Sequence, residues 1–163
     1  MSTAGRTYPE LAVWPADAGG RYRRSEISAV VGDGDSAWKR CRDALLHWGV
    51  KTRSGFRVNS AEAVRPGTRL TITAGALGIT VREPIEVVRV VDEPDRVGFS
   101  YRTLPGHPVD GEEAFILERS AAGIRLIVRS LTRPAPSGAW RVLFPLLLIA
   151  QTIAHRRYLR ALR

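Results

Sequence analysis

The spacing of apolar residues predicts one early helix. Four large apolar side chains recur at intervals of three and four, which is the period of an amphipathic helix. They are Trp38, Cys41, Leu45 and Trp48. The turn sequence GDGD comes just before them, and either Asp35 or Ser36 can cap the first turn. The pattern therefore predicts a helix over about residues 36–48.

The chain then changes to short alternating or β-branched runs divided by turns, a pattern typical of antiparallel strands. Five or six strands are expected. They cover about residues 22–31, 68–76, 83–91, 97–103, 113–117 and 124–131. Alternate residues of a strand share a face, so Phe99, Tyr101 and Thr103 should point the same way. The same argument groups Phe115 with Leu117 on the following strand.

The final stretch, WRVLFPLLLIAQTIAHRRYLRALR, predicts a long helix that is apolar at first and basic at its end. If the helix begins near Phe144, Pro145 lies harmlessly in its first turn, whereas a start near Trp140 would make Pro145 a kink. Its apolar run is shorter than the ~20 residues that span a bilayer. A curved antiparallel sheet needs a cover, and this helix is the only long apolar element. We therefore expect an α+β fold in which the sheet wraps around the C-terminal helix and encloses a cavity.

Length and composition indicate a single domain. Residues 1–20 lack periodicity and are expected to form an irregular arm, held by Trp14, while residues 21–163 form the domain. Cys41 is the only cysteine, which excludes a disulfide framework and a cysteine metal site and favours a cytoplasmic location. The N-terminus has no signal-peptide pattern.

The net charge of +9 does not by itself indicate a nucleic-acid partner. Only Lys39 and Lys51 are lysines, and all other basic residues are arginines. This bias is typical of a GC-rich, bacterial genome. The basic residues are also scattered rather than arranged in a stripe with aromatic residues. The hypothesis of an anionic small ligand stays open, because two or three arginines in a pocket suffice to bind an anion.

One stretch, TLPGHPVDGEEAF at residues 103–115, carries a family resemblance. With GFSY before it and SLTRP after it, it resembles the DUF1990 family, also called UPF0548. That family is similar to the helix-grip superfamily of START, Bet v 1 and polyketide cyclase proteins. The resemblance implies a helix-grip fold and a cavity, but no activity. The chain departs from the family pattern at Arg102, where glycine is expected, and at Ala114, where a basic residue is expected.

The LPGHP part of this stretch predicts a rigid corner between two strands. Pro105 and Gly106 suit the central positions of a type II turn, and Pro108 keeps His107 extended. His107 then has two interpretations. It either belongs only to the corner, or it is presented to the cavity as an acid, base or ligand donor.

The adjacent Glu112 and Glu113 must face opposite sides of a strand. Glu113 shares its face with Phe115, which favours an inward position, and Arg129 or Arg133 on the next strand could then pair with it. Two roles stay open for Glu113. It is either half of a salt bridge that holds the sheet, or a general base with a raised pKa.

The favoured function is a carrier, sensor or chaperone that binds a small lipophilic molecule in the cavity. The expected lining residues are Phe99, Tyr101, Thr103, Phe115, Leu117, Arg129, Arg133, Leu147 and Gln151. The alternative is a cofactor-independent cyclase, dehydratase or isomerase that uses His107 and Glu113. A third hypothesis is a membrane-surface or protein-interaction module, and a homodimer stays open. No metal is expected, since His47 and His155 lack ligand spacing, and no nucleotide motif implies a cofactor.

Overall fold

One antiparallel sheet dominates the computed structural model, which describes residues 6–76 and 78–163. The strands are β1 (Arg23–Gly32), β2 (Phe56–Val58), β3 (Arg69–Ala76), β4 (Ile79–Glu93), β5 (Arg96–Thr103), β6 (Val109–Ser120) and β7 (Gly123–Pro134). Their order across the sheet is β1-β7-β6-β5-β4-β3-β2. Every neighbouring pair in this sheet is antiparallel. Strands β2 to β7 lie beside their neighbours in sequence, whereas β1 pairs with β7 at the other end of the chain.

The predicted α+β architecture is confirmed, but the described sheet has seven strands instead of five or six. The strand missing from the prediction is β2. It has only three residues, too few to show an alternating pattern, and it forms because Phe56 pairs with Ala74 at the end of β3. The strand β4 also extends to 15 residues, well beyond the predicted 83–91.

The early helix is divided in two, α1 (Gly34–Leu46) and α2 (Gly49–Thr52). The first begins two residues earlier than expected and is capped by Asp33, whose carboxylate accepts a hydrogen bond from the backbone N–H of Gly34 at 2.8 Å. Trp48 interrupts the helix with a left-handed backbone, φ 65°. At Gly49 the chain passes so close that a Cβ atom would lie 2.5 Å from the carbonyl oxygen of Ala44. This break turns α2 toward the sheet.

The C-terminal helix is also preceded by a separate turn. The short α3 (Ala139–Val142) comes before α4 (Phe144–Tyr158), so Pro145 lies in the first turn of α4, as the first of the two alternatives requires. Of the 15 residues of α4, only His155 and Tyr158 are buried. No helix among the described residues is long and apolar enough to cross a membrane.

The sheet has an inner face, which bears Phe99, Phe115 and Leu126, and an outer face. The main core lies between the inner face and the helices α1, α2 and α4. On the outer face, the described part of the N-terminal arm packs over β6 and β7. Trp14 is buried there with Leu131, and its indole N–H donates to the carbonyl of Arg6 at 2.9 Å. The first five residues of the predicted arm lie outside the described residues.

Candidate functional site

A cavity of about 220 Å³ lies between the inner face of the sheet and α4. Apolar side chains form much of its wall, namely Phe56, Ala74, Val81, Leu147, Ala150 and Ala154. The polar lining includes Lys51, Glu83, Tyr101, Thr103, His107, Glu113, Gln151 and Tyr158. The site is therefore an apolar pocket with a group of ionisable side chains at one part of its wall.

The LPGHP corner places His107 at the cavity. The N–H of His107 donates to the carbonyl of Leu104 at 3.1 Å, and Gly106 has φ 96°, as the predicted type II turn requires. The Nδ1 atom of His107 accepts a hydrogen bond from the N–H of Val109 at 3.1 Å. In the neutral ring, this leaves the proton on Nε2. Burial and the ammonium of Lys51 lower the pKa of His107 to about 4, so the ring is neutral at pH 7.

Glu113 lies at the centre of a buried polar network. Its Oε1 atom accepts a hydrogen bond from the Tyr101 hydroxyl at 2.6 Å and lies 3.2 Å from the ammonium of Lys51. Its Oε2 atom lies 3.2 Å from Nε2 of His155. Lys51 also donates to the hydroxyl of Tyr158 at 2.7 Å. The charges of Lys51 and Glu113 are thus both partnered, as burial of charge requires.

This network fixes the charges of its members. Burial favours the neutral form of Glu113, but Lys51 and the hydrogen bonds from His155 and Tyr101 outweigh it and hold the pKa of Glu113 well below its usual range. Burial likewise opposes the charge on Lys51, yet Glu113 and the phenol groups raise the pKa of Lys51 well above its usual value. At neutral pH the site therefore contains an ammonium–carboxylate pair.

The proposed pairing of Glu113 with Arg129 or Arg133 is wrong, because both arginines lie on the outer face. In the register of β6 and β7, Glu113 is opposite Ser130, so the odd-numbered residues of β7 point away from it. Arg129 instead bonds to Glu26 at 2.6 Å and to backbone carbonyls of the arm. Arg133 bonds to Asp110 at 2.5 Å. Neither arginine lines the cavity.

The other predicted lining residues divide into two groups. Tyr101, Thr103, Leu147 and Gln151 line the cavity. Three more, Phe99, Phe115 and Leu117, are buried in the core behind it and are not lining residues. Gln151 donates to the hydroxyl of Thr132 at 2.9 Å, so its amide ties α4 to β7.

His107 and Glu113 both face the cavity, but no hydrogen bond joins them. The partners of Glu113 are Tyr101, Lys51 and His155, whereas His107 bonds to Val109. A carboxylate whose pKa is lowered is a weak base. The pKa of Glu113 is lowered, whereas the general-base interpretation requires a raised one, so the geometry favours the salt-bridge alternative. A catalytic role for His107 and Glu113 stays a prediction.

Four ionisable residues of the site were missed by sequence reasoning, namely Lys51, Glu83, His155 and Tyr158. A signal existed for two of them. Lys51 is one of only two lysines in a chain that otherwise uses arginine. Tyr158 lies seven residues after Gln151, on the same helix face. Lys51 and Glu83 could not be connected to the site, because α2 and β4 meet only through the tertiary fold.

Comparisons with known proteins identify the family of the chain. The model of a domain of unknown function, DUF1990, matches residues 7–161. The chain belongs to the DUF1990 family. It is 35% identical over 144 residues to a UPF0548 protein of Deinococcus radiodurans, a match that covers 81% of this chain and 72% of that protein. No activity follows from either match.

Solved structures relate the DUF1990 chain to helix-grip proteins by fold alone. A hypothetical protein of Helicobacter pylori has a TM-score of 0.58 at 15% identity and covers 99% of this chain and 96% of its own. The Zhui aromatase/cyclase of Streptomyces sp. R1128 has a TM-score of 0.54 at 14% identity, covering 85% of this chain and 92% of its own. The helix-grip expectation is confirmed by these similarities and by the sheet and helix order.

The GEE part of the DUF1990 motif has a structural explanation. Gly111 lies so close to β7 that a Cβ atom would lie 1.8 Å from the carbonyl oxygen of Leu131. Glu112 accepts hydrogen bonds from the N–H groups of Arg6 and Thr7 at 3.1 and 3.0 Å, on the outer face. Glu113 points the other way, to Lys51. Glu112 thus binds the N-terminal arm on the outer face, and Glu113 is part of the buried network at the cavity.

Proposed function

We propose that the protein binds one small hydrophobic or amphipathic molecule in its cavity and acts as a carrier, sensor or chaperone for it. The observation that carries this proposal is the cavity itself. A largely apolar wall with a few placed polar groups is the usual composition of a ligand site. The volume of about 220 Å³ lies below the roughly 300–1,000 Å³ of sites for drug-sized molecules, which favours a small ligand.

The arrangement of polar groups supports binding more than catalysis. The carboxylate of Glu113 has its oxygens engaged by Lys51, Tyr101 and His155, so it is not available as a base. The Nε2–H group of His107 has no acceptor among the described residues, and it can donate a hydrogen bond to a ligand. This role is orientation of a bound molecule rather than proton transfer.

Two measurements test the binding role. Native mass spectrometry of the freshly purified protein should detect a co-purified small molecule. A titration with prodan, a small neutral dye whose fluorescence reports an apolar environment, then separates the cavity from the surface. Ala154 lines the cavity, while the adjacent Ile153 is 49% exposed. We expect Ala154→Phe to weaken dye binding at least tenfold and Ile153→Phe to leave it unchanged. If both variants bind the dye like the original chain, the cavity is not the binding site.

A second candidate role is contact with an anionic membrane surface, where a lipophilic ligand could be exchanged. The observation in its favour is an exposed apolar stripe along α3 and α4, formed by Val142, Leu146, Ile149 and Ile153, which are 80%, 61%, 59% and 49% exposed. Exposed arginines continue this stripe, namely Arg156, Arg157 and Arg160. Among the described acidic side chains, none pairs with them. An apolar stripe with adjacent cationic groups suits an anionic lipid surface.

Sedimentation with vesicles tests this second role. We expect binding to vesicles that contain phosphatidylglycerol, weaker binding to pure phosphatidylcholine, and a loss of binding at high salt. Ile149→Asp should abolish binding, whereas Ala150→Asp, one residue away on the cavity side, should weaken it less. Concentration-dependent dimerisation that Ile149→Asp removes, without vesicle binding, would assign the stripe to a second copy instead. A cytoplasmic location stays a prediction.

A further inference from the structure

The inner face of β4 carries one acidic side chain in an otherwise apolar row. Alternate residues of a strand point to the same side, so Val81, Glu83 and Ile85 share the inner face. Ile85 is fully buried, and both Val81 and Glu83 line the cavity. A carboxyl group in this position loses much of its hydration, which costs free energy unless a partner compensates it.

The cation of the site is already engaged by another carboxylate. The ammonium of Lys51 lies 3.2 Å from Glu113 and 2.7 Å from the hydroxyl of Tyr158. Among the residues that the structure describes, no side chain donates a hydrogen bond to the carboxyl group of Glu83. Glu112, which also borders the cavity, is bonded to Arg6 and Thr7, so of the carboxyl groups around the single ammonium only Glu83 has no hydrogen-bond partner among the described side chains.

The surroundings make the charge of Glu83 dependent on what occupies the cavity. Burial raises the pKa of Glu83, Lys51 lowers it in part, and Glu113 raises it further. His107 adds no positive charge at pH 7, because its own pKa is lowered to about 4. The remaining titratable groups around the site are Tyr101 of β5, Glu112 of β6, and His155 and Tyr158 of α4. An incoming cation would therefore meet an uncompensated carboxyl group.

We propose that the ligand carries a protonated amine that pairs with Glu83, while its apolar body lies against Val81 and the apolar side of α4. This inference rests on the proposed cavity-binding function and names the ligand class, a small amphiphilic amine. Aromatic rings in the same wall already accommodate one ammonium, since Nζ of Lys51 lies 4.6 Å from the ring centroid of Phe56. An anionic head group would face Glu83 and Glu113, and Lys51, the cation among the described lining residues, is already paired.

A competition series with one chain length and three head groups tests the amine. Octylamine, 1-octanol and octanoate are titrated at pH 7 against protein that holds the small neutral dye prodan. We expect the competition to give octylamine a Kd at least tenfold lower than that of 1-octanol. Octanoate should bind most weakly of the three. Glu83→Gln should lower the affinity for octylamine at least tenfold relative to the original chain. It should change the affinity for 1-octanol by no more than about twofold. Glu86→Gln is the control, because Glu86 lies on the outer face of β4 and pairs with Arg102 at 2.5 Å.

The possible outcomes separate this inference from the function on which it rests. Equal affinities for the three compounds, or a preference for octanoate, would overturn the amine proposal and leave cavity binding intact. If none of the three compounds displaces the dye and Ala154→Phe does not affect dye binding, both proposals fall.

Calorimetry supplies a second readout that a merely structural role of Glu83 would not change. Because the pKa of Glu83 is raised by burial and by Glu113, its carboxyl group holds a proton to a higher pH than an ordinary glutamate does, and pairing with an ammonium should favour release of that proton. We expect octylamine binding to release more protons at pH 5 than at pH 8, as measured in two buffers with different ionisation enthalpies. Glu83→Gln should abolish this release. Its persistence in Glu83→Gln would overturn the assignment of the proton to Glu83.

Discussion

At the residue scale, the ion pair of Lys51 and Glu113 makes a strong prediction about stability. Both groups are buried, and removal of one partner leaves the other charge uncompensated, a loss of about 3–5 kcal/mol. We expect Lys51→Met and Glu113→Gln each to be strongly destabilising in urea denaturation. The double variant should be more stable than the sum of the two losses implies, by about 2 kcal/mol.

The exposed Lys39 is the matched control for this cycle. Lys39→Met should change the free energy of unfolding by less than about 0.5 kcal/mol. Additive effects of Lys51→Met and Glu113→Gln would contradict the pairing. Acid should also weaken the folded state through Glu113. Its pKa is lowered in the fold, so its contribution is complete above the unfolded value of about 4.3 and is lost progressively below it.

His107 gives a second prediction at this scale, measured by NMR titration of its ring protons. We expect a midpoint of about 4, because burial and Lys51 disfavour the imidazolium ion. Since the unfolded value is about 6.5, the stabilisation from His107 is present above pH 6.5 and is lost as the pH falls toward 4. His107→Asn identifies the signal and keeps an acceptor for the N–H of Val109. A midpoint near 6.5 would contradict the partly buried position of the ring and the influence of Lys51.

Sequence reasoning reached the local chemistry of individual residues but not their partners. The corner at Pro105 and Gly106 follows from backbone restrictions alone, and the inward position of Glu113 follows from strand alternation. The partner of Glu113 was missed because Lys51 lies on α2, a four-residue helix created by the break at Trp48. No periodicity can be read from so short an element.

At the element scale, the spacing between β6 and β7 depends on Gly111. A Cβ atom there would lie 1.8 Å from the carbonyl oxygen of Leu131, so Gly111→Ala must push the two strands apart. Forced expansion of a packed site costs about 1–3 kcal/mol, occasionally more. We expect a loss of about 3 kcal/mol in urea denaturation.

Gly75→Ala is the matched control, because Gly75 lies in β3 with nothing within 4 Å of the added Cβ and no positive φ. It should change stability by less than about 0.5 kcal/mol. Equal effects of the two substitutions would mean that β6 and β7 are not in such close contact at this position.

The boundaries of the elements divide into predictable and unpredictable ones for a physical reason. Strand β5 was anticipated, because alternation is a local signal, and the start of α4 at Phe144 was one of the two alternatives that Pro145 allowed. Strand β2 was not, since its three residues are extended only because Phe56 pairs with Ala74. The face of α4 that covers the cavity was also ambiguous, because this helix is apolar on both sides.

At the scale of the whole molecule, Arg129 joins the N-terminal arm to the sheet. Its guanidinium donates to the carbonyls of Thr7, Tyr8 and Ala12 at 3.2, 2.7 and 3.2 Å, and its side chain is only 1% exposed. We expect Arg129→Lys to keep the charge but to lose most of these bonds, because lysine lacks the planar fork. Limited proteolysis with trypsin should then cleave faster at Arg21.

Arg125→Lys provides the comparison for this experiment, since Arg125 is exposed on the same strand and bonds only to Ser28 among the described residues. It should leave the cleavage rate unchanged. If Arg129→Lys also leaves the rate unchanged, the arm is held by other contacts, such as those of Glu112 with Arg6 and Thr7.

The scarcity of lysine has a practical consequence. Lys39 is exposed on α1, whereas Lys51 is 3% exposed beside the cavity. An amine-reactive reagent should therefore modify Lys39 at once, and Lys51 only when α4 and the sheet separate. Mass spectrometry can follow the two lysine peptides in the same sample. The labelling rate of Lys51 relative to that of Lys39 would measure how often the pocket opens, without any introduced probe.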